Sequence, residues 1–464
     1  MSETHTRLQV MMPGPGPFPY QEHLWRLVGA HLGLAVRFGY PSEPAGEYRV
    51  FCGSGGPSLR MPFEGGGGDL LADGVRLHRV RQGRRRWKVL AGAKGLKVKC
   101  QGADVTVNTD LIGPLGWLLS LGEEGQIYRR DRYGLFQGQD SVRRRMGALS
   151  EPIFENTAAW IGAVVDAPLP PAYAREATWA VAVSCDVDVL GDGYIPAVLE
   201  FLDEHRVERP TFMICAHSEE EGTIRDPSYD ITTDSASRLL EPLRQADVEV
   251  GLHGSYLAHD RPGFLMAQKC RLEQWWGRSV QGHRAHFYRF AYPRSWAWQH
   301  RCGFLYDASL GYPDLPGLRS ACASPTMFYD HERGSVPFTV FPTAVLDQHF
   351  FWPTRWSRRK FRKYISALFK RIARINGALL LDWHTYTIDA QRYRGWWDRL
   401  DEILSWAREA GACSSGIGKV LEDYRRRWER CTVQCPALVL GDGTDTLDLS
   451  DRSANNQGPF PIVR

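Results

Sequence analysis

Short apolar runs alternate with amphipathic stretches through the second half of the chain. From about residue 178 the apolar runs read WAVAVSC, TFMIC, VEVGLHG, HFYRFAY, FLYDASL, FTVFPTAVL and GALLLDWH. Helix-like pieces such as IPAVLEFLDEHR and WWDRLDEILSWAREA lie between them. Alternation of strands and helices favours a parallel sheet. Seven such units predict an α/β fold, a distorted (β/α)7 barrel.

The first part of the chain has a different sequence pattern. It combines glycine clusters with short strand-like runs such as YRVFCG, which predicts a smaller N-terminal α/β module. The proline-rich segment VVDAPLPPAYAREA resembles a linker. A chain of 464 residues is long enough for two domains. We therefore expect an accessory module at 1–170, a catalytic domain at 171–425 and a polar tail at 426–464.

Charge and hydropathy exclude some classes of function. The formal net charge of +4 is too small to indicate a nucleic-acid partner, and no run of about 18 apolar residues predicts a membrane span. The basic runs at 84–86 and 358–360 are expected to be solvated surface. The N-terminus lacks the pattern of a secretory signal, so we expect a cytoplasmic protein. The oligomeric state is not predicted.

Titratable residues cluster at the ends of the apolar runs. Since reactive groups of parallel α/β folds collect at the carboxyl ends of strands, these residues predict one shared site. The candidates are Asp186, Asp188, His253, Arg284, His286, Asp347, His349 and His384.

The pair Asp186 and Asp188 sets the expected chemistry. Side chains two residues apart on a strand point the same way, so both carboxylates can face one cavity. Two close carboxylates repel unless a cation binds one of them. Imidazoles from other strands would complete a mixed oxygen and nitrogen site that suits one divalent ion, zinc above all. Such an ion activates water, while the second carboxylate serves as base and a histidine as acid.

Structural roles compete with these functional ones. An aspartate of the pair could cap the helix that begins near Tyr194, and His253 or His384 could be a hydrogen-bonded core residue. Roles for His259, His286, Asp347 and His349 stay open at this point, whereas His217 is expected to be structural.

The region from about 178 to 420 resembles the polysaccharide deacetylases of carbohydrate esterase family 4, the NodB homology group. The resemblance makes SCDVD the family's D-x-D motif, with Asp186 as base and Asp188 as metal ligand. It implies that His253 binds the metal, that Arg284 steadies the base, and that His384 in LLLDWH is the acid.

A bacterial subgroup with an extra N-terminal module is similar over more of the chain, in runs such as GLHGSY, RAHFYRF and FLYDASLGY. One departure concerns the family's H-x-x-x-H motif, because position 257 is Leu. The third ligand is therefore expected to be His286, with His259 as the alternative.

The resemblance implies metal-dependent hydrolysis of an N-acyl group, most simply N-acetyl on an amino sugar, with a small molecule or glycan as substrate. Substrate contacts are expected from Tyr288, whose neighbourhood would supply an oxyanion-binding N–H, and from Trp383 and Asp347. Hydrolysis of a cyclic imide or another non-sugar amide is one alternative. A catalytically silent binding protein, motivated by Leu257, is the other.

Overall fold

A computed structural model describes residues 7–432 with internal gaps. The gaps are 14–17, 33, 43–44, 46, 53–57, 63–75, 83, 92–95, 102–103, 168–172, 174–176, 331 and 354. The expected linker near 170 falls largely in one of these gaps. The expected tail lies outside the described residues from 433 onward, so the proposed division of the chain remains a prediction.

The first part of the chain forms a six-stranded sheet and a separate hairpin. The sheet has the order β2-β1-β3-β4-β8-β7, and β5 pairs with β6. The strands are β1 (Arg7–Met11), β2 (Ala35–Gly39), β3 (Glu47–Cys52), β4 (Ser58–Pro62), β5 (Arg76–Gln82), β6 (Arg85–Ala91), β7 (Val98–Gln101) and β8 (Asp104–Val107). The helices are α1 (Pro19–Leu32), α2 (Ile112–Leu119), α3 (Gly122–Gln126), α4 (Val142–Arg145) and α5 (Ile153–Val164).

A larger, mainly parallel sheet follows. Its order is β14-β15-β13-β12-β11-β10-β9-β17-β16, and β18 pairs with the first half of β9. The strands are β9 (Trp179–Val187), β10 (Thr211–Cys215), β11 (Glu249–Gly254), β12 (Gly282–Ala285), β13 (Tyr306–Asp307), β14 (Thr326–Asp330), β15 (Gly334–Val340), β16 (Thr343–Leu346), β17 (Ala378–His384) and β18 (Ala412–Ser415). Among the described residues β14 and β16 do not pair, so the barrel stays open.

Helices connect these strands as the alternating pattern predicts. They are α6 (Tyr194–Glu204), α7 (Asp234–Gln245), α8 (Pro262–Trp276), α9 (Arg294–Arg301), α10 (Arg358–Arg374), α11 (Trp396–Glu409) and α12 (Ile417–Thr432). The α/β class and the distorted, incomplete barrel are thereby confirmed, with an N-terminal module rich in strands. Among the helices that the structure describes, none is long and apolar enough to cross a membrane.

Two predicted strands differ from the observed ones. The run HFYRFAY is not a strand: β12 ends at Ala285, and His286–Tyr288 form a 3-10 turn with Phe287 at a φ of 61°. The run FTVFPTAVL divides at Pro342 into β15 and β16, because proline has no N–H for the ladder. The first difference places His286 directly after a strand end.

Burial explains why β9 lies in the middle of the sheet. All nine of its residues are buried, and its alternate side chains pack into two different apolar clusters on its two faces. A strand buried on both faces needs neighbours along both edges, which β10 and β18 provide on one side and β17 on the other. The carboxylates at its end are thereby fixed in a rigid frame.

Candidate metal centre and active site

The parallel register brings the predicted residues together at the carboxyl edge of the sheet. His384 at the end of β17 is the register partner of Asp186 in β9. His253 in β11 is the partner of Arg284 in β12. Asp188 follows β9 directly, so the end of this strand lies between His384 on the adjacent β17 and His253 on β11, the second strand on the other side.

Asp188, His253 and His286 form a compact cluster of potential ligands. One ligand atom from each lies within 4.8 Å of the others. His253 Nε2 lies 3.3 Å from Asp188 Oδ1, and His286 Nε2 lies 3.6 Å from Asp188 Oδ2. The three side chains therefore converge on one point, although they come from three different segments of the chain.

Two atoms of this cluster are buried without a hydrogen bond. Asp188 Oδ1 and His253 Nε2 face each other, but their approach lacks hydrogen-bond geometry, and neither has another partner among the described residues. Buried polar atoms are nearly always satisfied, so an orphaned oxygen beside an orphaned nitrogen fits a shared cation. One carboxylate with two imidazoles is a donor set that suits zinc or a similar first-row ion.

The far side of each imidazole is held by a polar partner. His286 Nδ1 contacts Asp226 Oδ1 at 3.1 Å, and His253 Nδ1 contacts the carbonyl oxygen of Arg284 at 3.1 Å. Contacts of this type fix the ring and leave Nε2 for the ion. Burial disfavours the protonated His286 ring, but Asp188 and Asp226 outweigh it and raise its pKa to about 9. The site is therefore strongly attractive to positive charge.

Asp186 is held by a buried guanidinium. Arg284 Nη1 donates to Asp186 Oδ1 at 2.6 Å, and Arg284 Nη2 donates to Ser184 Oγ at 2.7 Å. Burial alone would raise the pKa of Asp186, but the Arg284 charge holds it below its usual value. The other oxygen, Oδ2, lies 3.5 Å from His253 Nε2, so it faces the ligand cluster as a free acceptor.

A second carboxylate shares the same guanidinium. Asp382 Oδ1 lies 2.8 Å from Arg284 Nη1, and the Tyr288 hydroxyl donates to Asp382 Oδ2 at 2.6 Å. Burial and the nearby Asp186 charge raise the pKa of Asp382 to about 7, against the opposing effect of Arg284. One arginine between two carboxylates thus favours the ionised form of Asp186, with Asp382 near its midpoint at neutral pH.

His384 also borders the ligand cluster. Its Nε2 is 3.4 Å from Asp188 Oδ2, and its Nδ1 is 3.0 Å from Asp347 Oδ1. Its backbone N–H donates to Asp347 Oδ2 at 2.9 Å. Burial disfavours the charged ring, but the Asp347 carboxylate raises the pKa of His384 well above the usual value. The ring can therefore hold a proton at Nε2 beside the cluster.

Three predicted residues lie apart from this chemistry, and a fourth has a role other than the predicted one. His259 contacts the Tyr256 carbonyl and Asp260 rather than the ligand cluster. His349 is hydrogen-bonded between the Leu346 N–H and the Tyr312 carbonyl. The other two are the expected substrate contacts Trp383 and Asp347. Trp383 is fully buried in the core on the opposite face of β17, and Asp347 is fully buried behind His384. Neither position supports contact with a substrate.

An open pocket of about 320 Å³ lies over the cluster. Tyr288, a predicted substrate contact, lines it, as do Arg225, Phe287, Gln348 and Tyr386. The volume is at the lower end of the range for ligand pockets, which suits a compact group rather than an extended chain. Apolar rings and a few polar groups thus surround one small reaction space.

Sequence reasoning missed Asp382, Ser184 and Asp226. The first two could have been found, because each stands two residues before a candidate on the same strand and therefore shares its face. Asp226 lies in the long connection between β10 and α7, where no periodic pattern relates it to His286.

No family model matches the chain, and no curated protein matches it. Several solved structures are similar in fold. One is a protein from Mycobacterium smegmatis described as a polysaccharide deacetylase, with 18% identity, 56% of this chain and 94% of that chain covered, and a TM-score of 0.41. A second is an allantoinase, with 13% identity, 56% and 94% coverage, and a TM-score of 0.41. A third is a Bacillus anthracis pseudoenzyme of carbohydrate esterase family 4, with 15% identity, 53% and 66% coverage, and a TM-score of 0.32.

Proposed function

We propose that the protein is a metal-dependent amidohydrolase that removes an N-acyl group, most simply N-acetyl, from an amino sugar. The observation that carries the proposal is the convergence of Asp188, His253 and His286, with both Asp186 and His384 in contact with the cluster. A base, an acid and a cation site around one small pocket are the parts that amide hydrolysis needs.

Each side chain has a defined task in this proposal. Asp188, His253 and His286 would hold one divalent ion, zinc above all, whose Lewis acidity polarises the acyl carbonyl and makes water more acidic. Asp186 accepts the proton of the attacking water at Oδ2, while Arg284 holds its other oxygen in place. Collapse of the tetrahedral carbon expels the amine.

His384 supplies the proton that this leaving amine needs. Its Nε2 faces the ligand cluster, and Asp347 accepts the Nδ1 proton and stabilises the charged ring, whose Nε2 proton is the one available for transfer. The backbone N–H near Tyr288 remains the predicted oxyanion donor, since Tyr288 lines the pocket.

Hydrolysis of a compact amide or cyclic imide is the second candidate, and the small pocket favours it. Only the carbonyl and the leaving nitrogen need to reach the catalytic groups, so the same residues would serve. Acetate release from N-acetylated sugars, compared with turnover of small imides, separates the two substrate classes.

The silent-scaffold alternative has less support. Its geometric signature is that His259 and His286 both point away from the ligand pair. Instead, His286 Nε2 lies 3.6 Å from Asp188. Leu257, which stands where the family's H-x-x-x-H motif has its second histidine, is thus compatible with a complete ligand set.

Metal content tests the proposal through a matched pair of histidine variants. We expect the wild-type protein, loaded with zinc and then dialysed, to retain about one ion per chain. His286→Ala should weaken zinc binding by at least tenfold, in line with the loss of a ligand. His259→Ala should bind zinc like the wild type, because this ring lies outside the cluster.

Zinc binding is measured by elemental analysis and by competition with a chromophoric chelator. Equal affinities in both variants would remove His286 from the ligand set. A wild-type protein that stays metal-free after zinc or cobalt is offered would contradict the proposal as a whole.

A further inference from the structure

Three guanidinium groups, one of which lines the pocket, are connected through shared tyrosine rings. Arg225 lines the pocket itself. Arg132 and Arg225 both lie over the Tyr133 ring, with their guanidinium carbons 4.7 Å and 5.7 Å from the ring centroid. Arg225 and Arg289 both lie over the Tyr256 ring, with their guanidinium carbons 4.9 Å and 3.9 Å from the ring centroid. Arg132, Arg225 and Arg289 are called the guanidinium cluster below.

This cluster has no anionic partner among the residues that the structure describes. Within the part of the chain that the structure describes, none of the three side chains forms a salt bridge or donates a hydrogen bond. The adjacent carboxylates are already engaged. Asp131 accepts from the N–H groups of Tyr133 and Leu135, and Asp226 holds His286 and the Tyr256 N–H. Arginines that share an aromatic ring add positive charge around Arg225, and this charge favours an anion bound at the pocket.

The position of the cluster connects it to the proposed chemistry. Arg225 directly precedes Asp226, whose carboxylate contacts His286. Phe287, which follows His286, packs against both tyrosine rings, at 5.3 Å from Tyr133 and 5.6 Å from Tyr256. A group bound by the cluster therefore lies beside the reacting N-acyl group and can belong to the same small substrate.

We propose that the guanidinium cluster binds a phosphoryl group of the substrate, so that the substrate is an N-acylamino sugar carrying a phosphate or diphosphate. This inference rests on the proposed function and specifies its substrate class. Three positive charges exceed what one carboxylate neutralises, whereas a diphosphate carries two or more negative charges. The planar fork of arginine matches phosphate oxygens in a bidentate manner.

The proposal also gives the segment before the large sheet a role in specificity. Arg132 and Tyr133 precede α4, whereas Arg225 and Arg289 belong to the large sheet's connections. The phosphoryl site is thus assembled from both parts of the chain. Two classes of substrate carry such a phosphoryl group: a sugar linked to a nucleoside diphosphate and a sugar linked to a lipid diphosphate.

Binding to metal-free protein tests the proposal without requiring activity. The protein is stripped with chelator, dialysed and titrated with inorganic pyrophosphate in a calorimeter. We expect saturable binding at one site per chain, and Arg225→Gln and Arg132→Gln should each weaken it about tenfold through loss of a charge-assisted contact. Arg359→Gln is the matched control, an exposed arginine on α10 that should bind like the wild type.

Absence of saturable binding, or equal affinity of Arg225→Gln, Arg132→Gln and wild-type protein, would overturn the inference. Uridine diphosphate and farnesyl diphosphate are titrated in parallel, and the tighter of the two identifies the source of the phosphoryl group. Acetate release from an uncharged N-acetylamino sugar without pyrophosphate binding would refute this inference alone. Pyrophosphate binding by a protein that takes up no metal when zinc or cobalt is offered would refute the hydrolase proposal alone.

Discussion

Arg284 shows how one buried side chain organises the candidate site. It contacts Asp186 and Asp382 with one guanidinium and hydrogen-bonds Ser184 with its second terminal nitrogen. The guanidinium favours the ionised form of both carboxylates, but burial and the Asp186 charge raise the pKa of Asp382, so Asp186 is the more fully ionised of the two near neutral pH. The expected role of Arg284 in steadying the base therefore has a geometric basis.

His349 gives a prediction at the same scale. Its Nδ1 accepts from the Leu346 N–H, so Nε2 carries the proton donated to the Tyr312 carbonyl. Burial lowers the pKa of His349 from 6.5 to about 4. The unfolded chain thus binds a proton at His349 at higher pH than the folded chain does. The contribution of the neutral His349 to the free energy of unfolding is therefore complete above pH 6.5 and is lost as the pH falls towards 4. The loss amounts to about 3 kcal/mol.

The variant His349→Asn removes this titration and keeps an acceptor for the Leu346 N–H. We expect its free energy of unfolding to fall less steeply than that of the wild type between pH 6.5 and pH 4. Urea denaturation at several pH values measures the slope. Identical slopes for the two proteins would show that His349 does not titrate as described.

At the scale of elements, α10 is an unusual helix because eight of its residues are basic and none is acidic. Arg358, Arg359 and Lys360 occupy its first turn, where the helix dipole disfavours positive charge. Glu402 on α11 offsets part of this cost through contacts with Arg358 and Arg362. The N-terminal cap consequently matters more here than in a helix with an acidic first turn.

Ser357 is that cap, because its side chain accepts from the Lys360 N–H. We expect Ser357→Ala to lower the free energy of unfolding by about 1 kcal/mol, as a lost cap usually does. Ser366 is exposed within the same helix and makes a matched control. Ser366→Ala should be neutral or slightly stabilising, since alanine is the better helix former. Equal losses of unfolding free energy in Ser357→Ala and Ser366→Ala, measured by chemical denaturation, would contradict the capping role.

The strands and their ends were largely predictable from the sequence, because apolar runs separated by amphipathic stretches mark parallel strands. The run HFYRFAY was not, since its aromatic residues suit a strand by propensity but here surround a turn. Asp186, Asp188, His253 and His384 could be placed by their position after apolar runs. Asp226 could not, because its contact with His286 joins a loop to a strand end across 60 residues of sequence.

At the scale of the whole molecule, buried polar groups join the first part of the chain to the large sheet. Arg143 donates to the carbonyl of Leu318 and to the Tyr312 hydroxyl, and its charge pairs with Glu123. Glu155 accepts from the N–H groups of two residues in the connection after β13. Contacts of this kind predict that the two parts unfold together.

We expect Arg143→Met to lower the stability of the whole chain by about 3 kcal/mol, because it leaves buried acceptors without their donor. Arg144 is its exposed neighbour, and Arg144→Met should be within about 0.5 kcal/mol of the wild type. Tryptophan fluorescence during denaturation should show one transition in both variants. Two separate transitions in the wild type would contradict the coupling of the two parts.

The separation of Asp188, His253 and His286 along the chain has a thermodynamic consequence. The nearest two are 33 residues apart, and the cluster exists only when β9, β10, β11 and β12 lie side by side. An unfolded chain of this sequence is therefore a poor chelator at these positions, so a cation held by them acts by mass action on the native state alone. Each tenfold increase in free zinc above the dissociation constant then adds about 1.4 kcal/mol to the free energy of unfolding.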